Sequence, residues 1–336
     1  MNVGIYFDMR SPVRWGADPA RLYGFVLEMC EEADSLGCHS VWLSEHHLFS
    51  DGYLPQPLTM AAAVAARTRR CRIGTAIVIA PLHHPVELAE QAAVVDIISG
   101  GRLDLGIGAG YRVPEFDLFG ADISRRYPTN DARAGELRRL WERVTPRPVQ
   151  ERLPIWMGYQ GPKGARRAGR MGEFLLSADA SVWPSYRAGL EEGGFEPASA
   201  RMAGSVNGWV SDDPEADWPT VSPHVAHQFD SYLQYMVEGT GQPVPRATDP
   251  DRLLGRRLWS SALGYFLLAT PEDAAGRIRE ATSGAPVDTV FLWASIGGMG
   301  EEMVARHIQT ICTELAPRLA GFDPSSAEPG SAEESR

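Results

Sequence analysis

The chain has 336 residues, 44% of them hydrophobic and 22% charged, which is the composition of a folded globular protein with a large core. Its formal net charge of −11 excludes nucleic acid and anionic membrane surfaces as main partners. No apolar run approaches the roughly 18 residues needed to cross a bilayer, and no basic segment precedes an apolar one at the N-terminus. The expectation is a soluble, cytoplasmic protein.

Strands and helices alternate along the chain. Val3–Phe7 reads as a strand, Pro19–Leu36 as a helix stopped at Gly37, and Ser40–Ser44 as a second strand. Helix Leu58–Thr68, strand Arg72–Ile79 and helix Pro85–Ile98 follow, the last with proline in its first turn. Then come strand Leu103–Ile107, helix Asn130–Val144, strand Pro154–Met157, helix Gly164–Met171 and strand Glu173–Leu176. Ala203–Val210 and Thr289–Trp293 supply strands seven and eight, with late helices at Pro271–Thr282 and Glu301–Leu319. Eight strands separated by helices predict an α/β fold, a single (β/α)8 TIM barrel. A doubly wound open sheet is the rival, but Asp8-Met9-Arg10-Ser11 after the first strand is no dinucleotide-binding turn. Two stretches interrupt the rhythm, Asp179–Ala200 (with a helix around Trp183–Glu192) and Gly239–Ala269; insertions of this kind form lids or substrate walls. The barrel is expected over residues 1–322. Asp323–Arg336 has no apolar residue larger than alanine and is expected to be disordered.

Polar residues begin where the second strand leaves the core, at Glu45-His46-His47. Imidazole is the side chain best suited to move protons near neutral pH, and strand ends are where barrel enzymes place chemistry. Adjacent histidines point to opposite sides and cannot chelate one metal together; His83-His84 has the same defect. His224 and His227 could share a helix face, but no third ligand is spaced to join them. The four cysteines, Cys30, Cys38, Cys71 and Cys312, show no CxxC spacing, so no structural zinc is expected. The segment Gly106-Ile107-Gly108-Ala109-Gly110 lets backbone approach closely, and Arg112 beyond it reads either as an anion ligand or as a surface partner of Glu115. In Gly158-Tyr159-Gln160-Gly161-Pro162-Lys163 a strand turns into a helix whose N-terminus can attract phosphate, beside the only lysine of the chain. The plain alternative there is an ordinary turn. Asp8 and Arg10 at the end of strand one should face the same mouth as Trp293 and Ser295 at the end of strand eight. Trp15, Tyr53, Trp183, Trp209 and Trp259 either wall a substrate or fill the core, most of them the core.

Glu45-His46-His47, Gly74-Thr75-Ala76-Ile77-Val78, Pro81-Leu82-His83-His84-Pro85 and Gly106-Ile107-Gly108-Ala109-Gly110-Tyr111, in this order, resemble the bacterial luciferase-like monooxygenase family. The resemblance is strongest from Val3 to Asp122, returns at Pro154–Leu176 and Thr270–Leu319, and is weak across Asp179–Ala269. It implies a two-component monooxygenase that takes reduced FMN from a separate reductase and uses O2, through a C4a-(hydro)peroxyflavin, to oxygenate a small organic substrate. By resemblance, His46 is the candidate acid/base, with Glu45 as its orienting partner. Ala76 and Ile77 would lie beneath the flavin ring, joined by a non-proline cis peptide. Gly110, Tyr111, Arg112, Gly158, Tyr159, Gln160, Gly161 and Lys163 would border the cofactor, the last five at its phosphate. Bacterial luciferase has a cysteine and a phosphate-holding arginine where this chain has Gly108 and Ala109, so the clamp falls to Arg112 or Lys163. The same fold also serves hydride transfer with F420 and non-catalytic flavin-binding subunits, which stand as alternatives. A homodimer through the small-residue helices Leu58–Thr68 and Pro85–Ile98 is a further expectation. A long-chain aldehyde, an aromatic polyketide and a small sulfonate all remain open as substrates.

Overall fold

A computed structural model describes residues 1–16, 18–259 and 264–327 of the chain. Its centre is a closed parallel barrel of eight staves. They are β1 (Asn2–Tyr6), β2 (Ser40–Leu43), β3 (Arg72–Thr75) continued by β4 (Val78–Ile79), β5 (Leu103–Gly108), β6 (Ile155–Met157), β7 (Phe174–Leu175), β8 (Met202–Val206) and β11 (Val287–Trp293). β11 closes on β1 with Val3 opposite Val290, and β5 closes on β3 with Ile73 opposite Leu103. The strands are apolar on both faces because helices cover them outside while side chains fill the lumen. A second, two-stranded parallel sheet pairs β9 (Gly208–Val210) with β10 (Leu267–Ala269). The expected seventh strand is thus two, and the apolar stretch ending at Ala269 holds a strand that the sequence pattern did not separate. Residues 260–263 of that stretch lie outside the described ones.

The lumen is aromatic. Trp42 stacks on Phe291 at 4.6 Å and meets Trp156 edge-on at 6.2 Å. Room for it comes from Gly74, where an added Cβ would sit 2.2 Å from the Trp42 ring. Outside the barrel stand α1 (Pro19–Ser35), α2 (Pro57–Arg67), α3 (Pro85–Ser99), α4 (Val113–Phe119), α5 (Arg126–Trp141), α6 (Gly161–Arg170), α7 (Trp183–Gly193), α8 (Pro214–Val237), α9 (Pro271–Thr282), α10 (Glu301–Thr310) and α11 (Ala316–Leu319). Capping follows local chemistry: Asp18 accepts from Ala20 N–H at the start of α1, and Gly100 ends α3 at φ +67°. All four cysteines are free and buried, and Cys38 lies against Cys312.

Three expectations change. The Asp179–Ala200 stretch is no lid: it contains α7, which presses on α6 where a Cβ at Gly189 would meet Arg166 O at 2.1 Å. The element that crosses the mouth is α8, a 24-residue helix containing Pro219 and Pro223. The tail is ordered further than expected, since Pro324–Ser326 forms a 3-10 turn whose Pro324 carbonyl accepts from Gly284 N–H at 2.8 Å; residues 328–336 lie outside the described ones. Among the described residues no helix is long and apolar enough to cross a membrane.

Candidate active site at the C-terminal mouth of the barrel

The third stave is broken at its C-terminal end. Ala76–Ile77 is a cis peptide bond between non-proline residues, and both residues are only half-buried while the strand on either side is buried. Ile77 spreads over two glycines of the neighbouring staves: a Cβ at Gly108 would come within 2.7 Å of its Cδ1, and one at Gly158 within 2.5 Å of its Cγ2. Gly110 has φ +70° and is half-buried, like Tyr111 and Gly158. Ala76, Ile77, Gly110, Tyr111 and Gly158 therefore form one half-exposed strip at the ends of adjacent staves, in which Gly108 and Gly158 leave room for the Ile77 side chain. It is a surface on which a flat ring can lie.

Glu45 holds the broken stave. Its N–H donates to Ile77 O at 3.1 Å, and its Oε2 accepts from Ile79 N–H at 2.7 Å. Oε1 accepts from two imidazoles, His47 Nε2 at 2.7 Å and His83 Nε2 at 2.8 Å. Burial opposes its charge, yet these hydrogen bonds keep the Glu45 carboxyl below the usual carboxylate range. The expected partnership of Glu45 with His46 is corrected: the carboxylate bonds His47 and His83, because His46 turns to the other side of the strand end.

His46 is 7% exposed and stacks on Tyr53 at 4.2 Å, with the Tyr111 ring 6.4 Å away. Its Nδ1 has no hydrogen-bond partner. Burial, then the charges of Arg10, His47 and Arg112, push its pKa well below that of an ordinary histidine. The imidazole is thus neutral near pH 7 and carries a free nitrogen at the site. Around it runs a chain of hydroxyls: Tyr6 donates to Ser44 Oγ at 2.7 Å, and Tyr53 pairs with Tyr6 on one side and with Tyr232 of α8 at 2.9 Å on the other.

Arg112 is committed to the protein. It donates to the carbonyls of His47 and Leu48 and to the Glu238 carboxylate, and is 2% exposed. This corrects its expected role as a phosphate clamp, since its donors are taken by the loop after β2 and the end of α8. Lys163, Gln160 and Gly161 are exposed at the start of α6, where no side chain caps the helix. Tyr159 is buried, and its hydroxyl bonds Asn130 Nδ2 at 3.0 Å and the Asp131 carboxylate, tying α5 to the turn before α6. Of the candidate cofactor residues, the structure brings Ala76, Ile77, Gly110, Tyr111 and Gly158 into one strip and places Gln160, Gly161 and Lys163 together at the uncapped helix start. Asp8 and Ser295 meet as expected, Asp8 N–H donating to Ser295 Oγ at 3.2 Å. His224 and His227 do lie on one helix, but they contact Trp15 instead of a metal; the described residues contain no metal-binding cluster.

Sequence reasoning missed Glu115, His83 as a Glu45 partner, and the Tyr6–Tyr53–Tyr232 chain. Tyr232 carried no signal, because α8 was not recognised. Glu115 is fully buried, accepts His47 N–H at 2.8 Å through Oε1, and has its pKa pushed up to about 7 by burial.

A family model described as luciferase-like monooxygenase matches residues 1–289. Among curated proteins, the chain is 28% identical to 4-hydroxyprotoasukamycin monooxygenase of Streptomyces nodosus subsp. asukaensis, over 96% of this chain and 93% of that one. It is 33% identical to the oxygenase component of flavin-dependent trigonelline monooxygenase of Acinetobacter baylyi, where the match spans 42% of this chain and 44% of that protein. The fold superposes on a crystal structure of a monooxygenase of Streptomyces bottropensis with a TM-score of 0.79 and 25% identity, covering 95% of this chain and 100% of the other. The chain belongs to the luciferase-like monooxygenase family.

Proposed function

We propose that this protein is the oxygenase component of a two-component flavin monooxygenase, acting on a small organic substrate with O2 and with FMN reduced by a separate flavin reductase. The observation that carries this reading is the glycine-cut strip of Ala76, Ile77, Gly110, Tyr111 and Gly158 beside the neutral imidazole of His46. A flavin ring would lie along such a strip, with Ile77 seated against Gly108 and Gly158 beneath it. The phosphate would meet the free N–H groups at the start of α6, with Lys163 as the cation, because Arg112 is engaged elsewhere. Reduced FMN bound there would supply the electrons that activate O2.

The chain's own residues then have distinct tasks. His46 holds or moves a proton at its ring nitrogens, and its low pKa keeps it able to accept one. Glu45 positions the segment Ile77–Ile79 and two further imidazoles. α8 and the rings of Tyr53 and Tyr232 exclude water from the mouth. The apolar side chains exposed along α3 (Val86, Val94, Ile97 and Ile98) support a homodimer through that helix. We place the enzyme in the cytoplasm, where a reductase can feed it.

Oxygen uptake tests the reading, with FMN kept reduced by an added reductase and reduced F420 in a parallel reaction. Because reduced FMN consumes O2 unaided, the expected result is that adding this protein changes the rate at which reduced FMN is reoxidised, against the same mixture without it. Tight F420 binding with no oxygen consumption would replace it with hydride transfer.

A further inference from the structure

Several buried polar atoms at the mouth have no hydrogen-bond partner within the protein, and they gather around Arg10, which is separated from His46 by the ring of Tyr53. Arg10 is 1% exposed, and its Nε and Nη2, which together form one edge of the guanidinium, are both unbonded. Gln228 of α8 is fully buried, and neither its Oε1 nor its Nε2 is bonded. Asp8 Oδ2, Asp51 Oδ1 and His46 Nδ1 share that condition. These groups are not scattered. The Arg10 guanidinium lies 4.2 Å above Tyr53, whose ring is 4.2 Å from that of His46, and 4.5 Å above Tyr232. Asp8 approaches Arg10 Nη1 at 3.6 Å and Asp51 approaches Nε at 3.8 Å, both too far for a hydrogen bond.

Unpaired polar groups in a protein interior are rare and costly, so a set of five such residues, His46 among them, calls for a ligand that pairs them. Their chemistry restricts that ligand. A hydrocarbon would leave every one of them unpaired. A carboxylate or sulfonate would meet the carboxyls of Asp8 and Asp51 beside Arg10, with Asp51 Oδ2 also held by His227 Nε2 at 3.2 Å, so two like charges would oppose it. A neutral molecule with one carbonyl and one hydroxyl satisfies both kinds of site: the carbonyl accepts from the free edge of Arg10, and the hydroxyl donates to a carboxyl oxygen or to Gln228 Oε1.

We propose that Arg10 and Gln228 select a neutral substrate bearing both carbonyl and hydroxyl oxygens, a statement that rests on the oxygenase reading only for the word substrate. None of these atoms is open to solvent, so the ligand enters as α8 draws away from β1; Pro219 and Pro223, which lack an N–H, already interrupt that helix's hydrogen-bond ladder.

The test is binding to the full chain with no flavin added, followed by tryptophan fluorescence and titration calorimetry. Three matched single-ring probes are used: 4-hydroxyacetophenone, p-cymene and toluene-4-sulfonate. The expected result is binding of 4-hydroxyacetophenone at least about tenfold tighter than either of the others, and a preference over p-cymene that shrinks about tenfold in Gln228→Leu. Arg10→Met should shrink it likewise. If that variant fails to fold because Asp8 and Asp51 lose their cation, the wild-type ranking and Gln228→Leu decide. Equal affinities, a preference for p-cymene or the sulfonate, no binding of any probe, or an unchanged ranking in Gln228→Leu would overturn the proposal. Selective binding of 4-hydroxyacetophenone by a protein that leaves the reaction of reduced FMN with O2 unchanged would sink the oxygenase reading and leave this one standing.

Discussion

Glu115 should make the stability of this protein fall between pH 5 and pH 8, and Glu115→Gln should remove that fall. The carboxyl is fully buried behind His47, with one oxygen accepting a backbone N–H and the other, Oε2, accepting nothing. Burial raises its pKa from 4.5 to about 7, against the opposing pull of the His47 N–H and of the charges on His47 and Arg112. A carboxyl whose folded pKa exceeds its unfolded one binds more protons when folded in the interval between the two. Its contribution is therefore fully present below pH 4.5 and is lost as pH rises through 7. One pKa unit corresponds to about 1.4 kcal/mol, so the loss from pH 5 to pH 8 is about 2.5 kcal/mol. Glutamine keeps an oxygen for His47 N–H and cannot titrate. Urea unfolding of both proteins at half-unit pH steps, with m held constant across the series, gives the difference directly. Parallel stability profiles for wild type and variant would refute the reasoning, as would a difference that grows in the opposite direction.

Three further outcomes are expected. His46→Ala should lower turnover by about 10²–10⁴-fold while leaving FMN affinity within about twofold, as read by stopped-flow absorbance and flavin fluorescence; unchanged turnover would remove His46 from the chemistry. Gly158→Ala drives a methyl to 2.5 Å from Ile77 Cγ2 and should cost about 1–3 kcal/mol of stability with a clear loss of FMN binding, so full FMN affinity in a folded variant would refute the placement of the ring. Glu45→Ala leaves His47, His83 and Ile79 N–H without their acceptor and should destabilise by about 3–5 kcal/mol in denaturant melts, whereas Glu45→Gln, which retains one acceptor oxygen, should cost less.

The barrel was legible because its signals are local and repeated. Each stave reads as an apolar run closed by polar or glycine-rich residues, and helices such as Pro85–Ser99 carry proline at the start and glycine just after the end. The position of His46 was legible for the same reason, since a strand end is visible in the pattern. What the pattern cannot express is which way each side chain leaves that end. Glu45 was assigned to His46 by resemblance, yet successive residues point to opposite sides, and the Glu45 carboxylate travels with His47 and with His83, 38 residues on. Arg112 was misread by a related route. Its commitment to Glu238 depends on where α8 ends, and α8, which contains Pro219 and Pro223, was not among the expected helices. Its start was in fact marked: Asp213 accepts from Ala216 N–H and Pro214 occupies the first turn, a cap signal that outlasts a proline five residues later. The same omission concealed Tyr232 and Gln228, and with them the polar lining of the mouth. In this fold the staves that carry the half-exposed strip are written in short-range pattern, while the element facing them is recognisable only from its cap. Substrate preference should therefore follow substitutions in α8, and cofactor affinity those in β3 to β6.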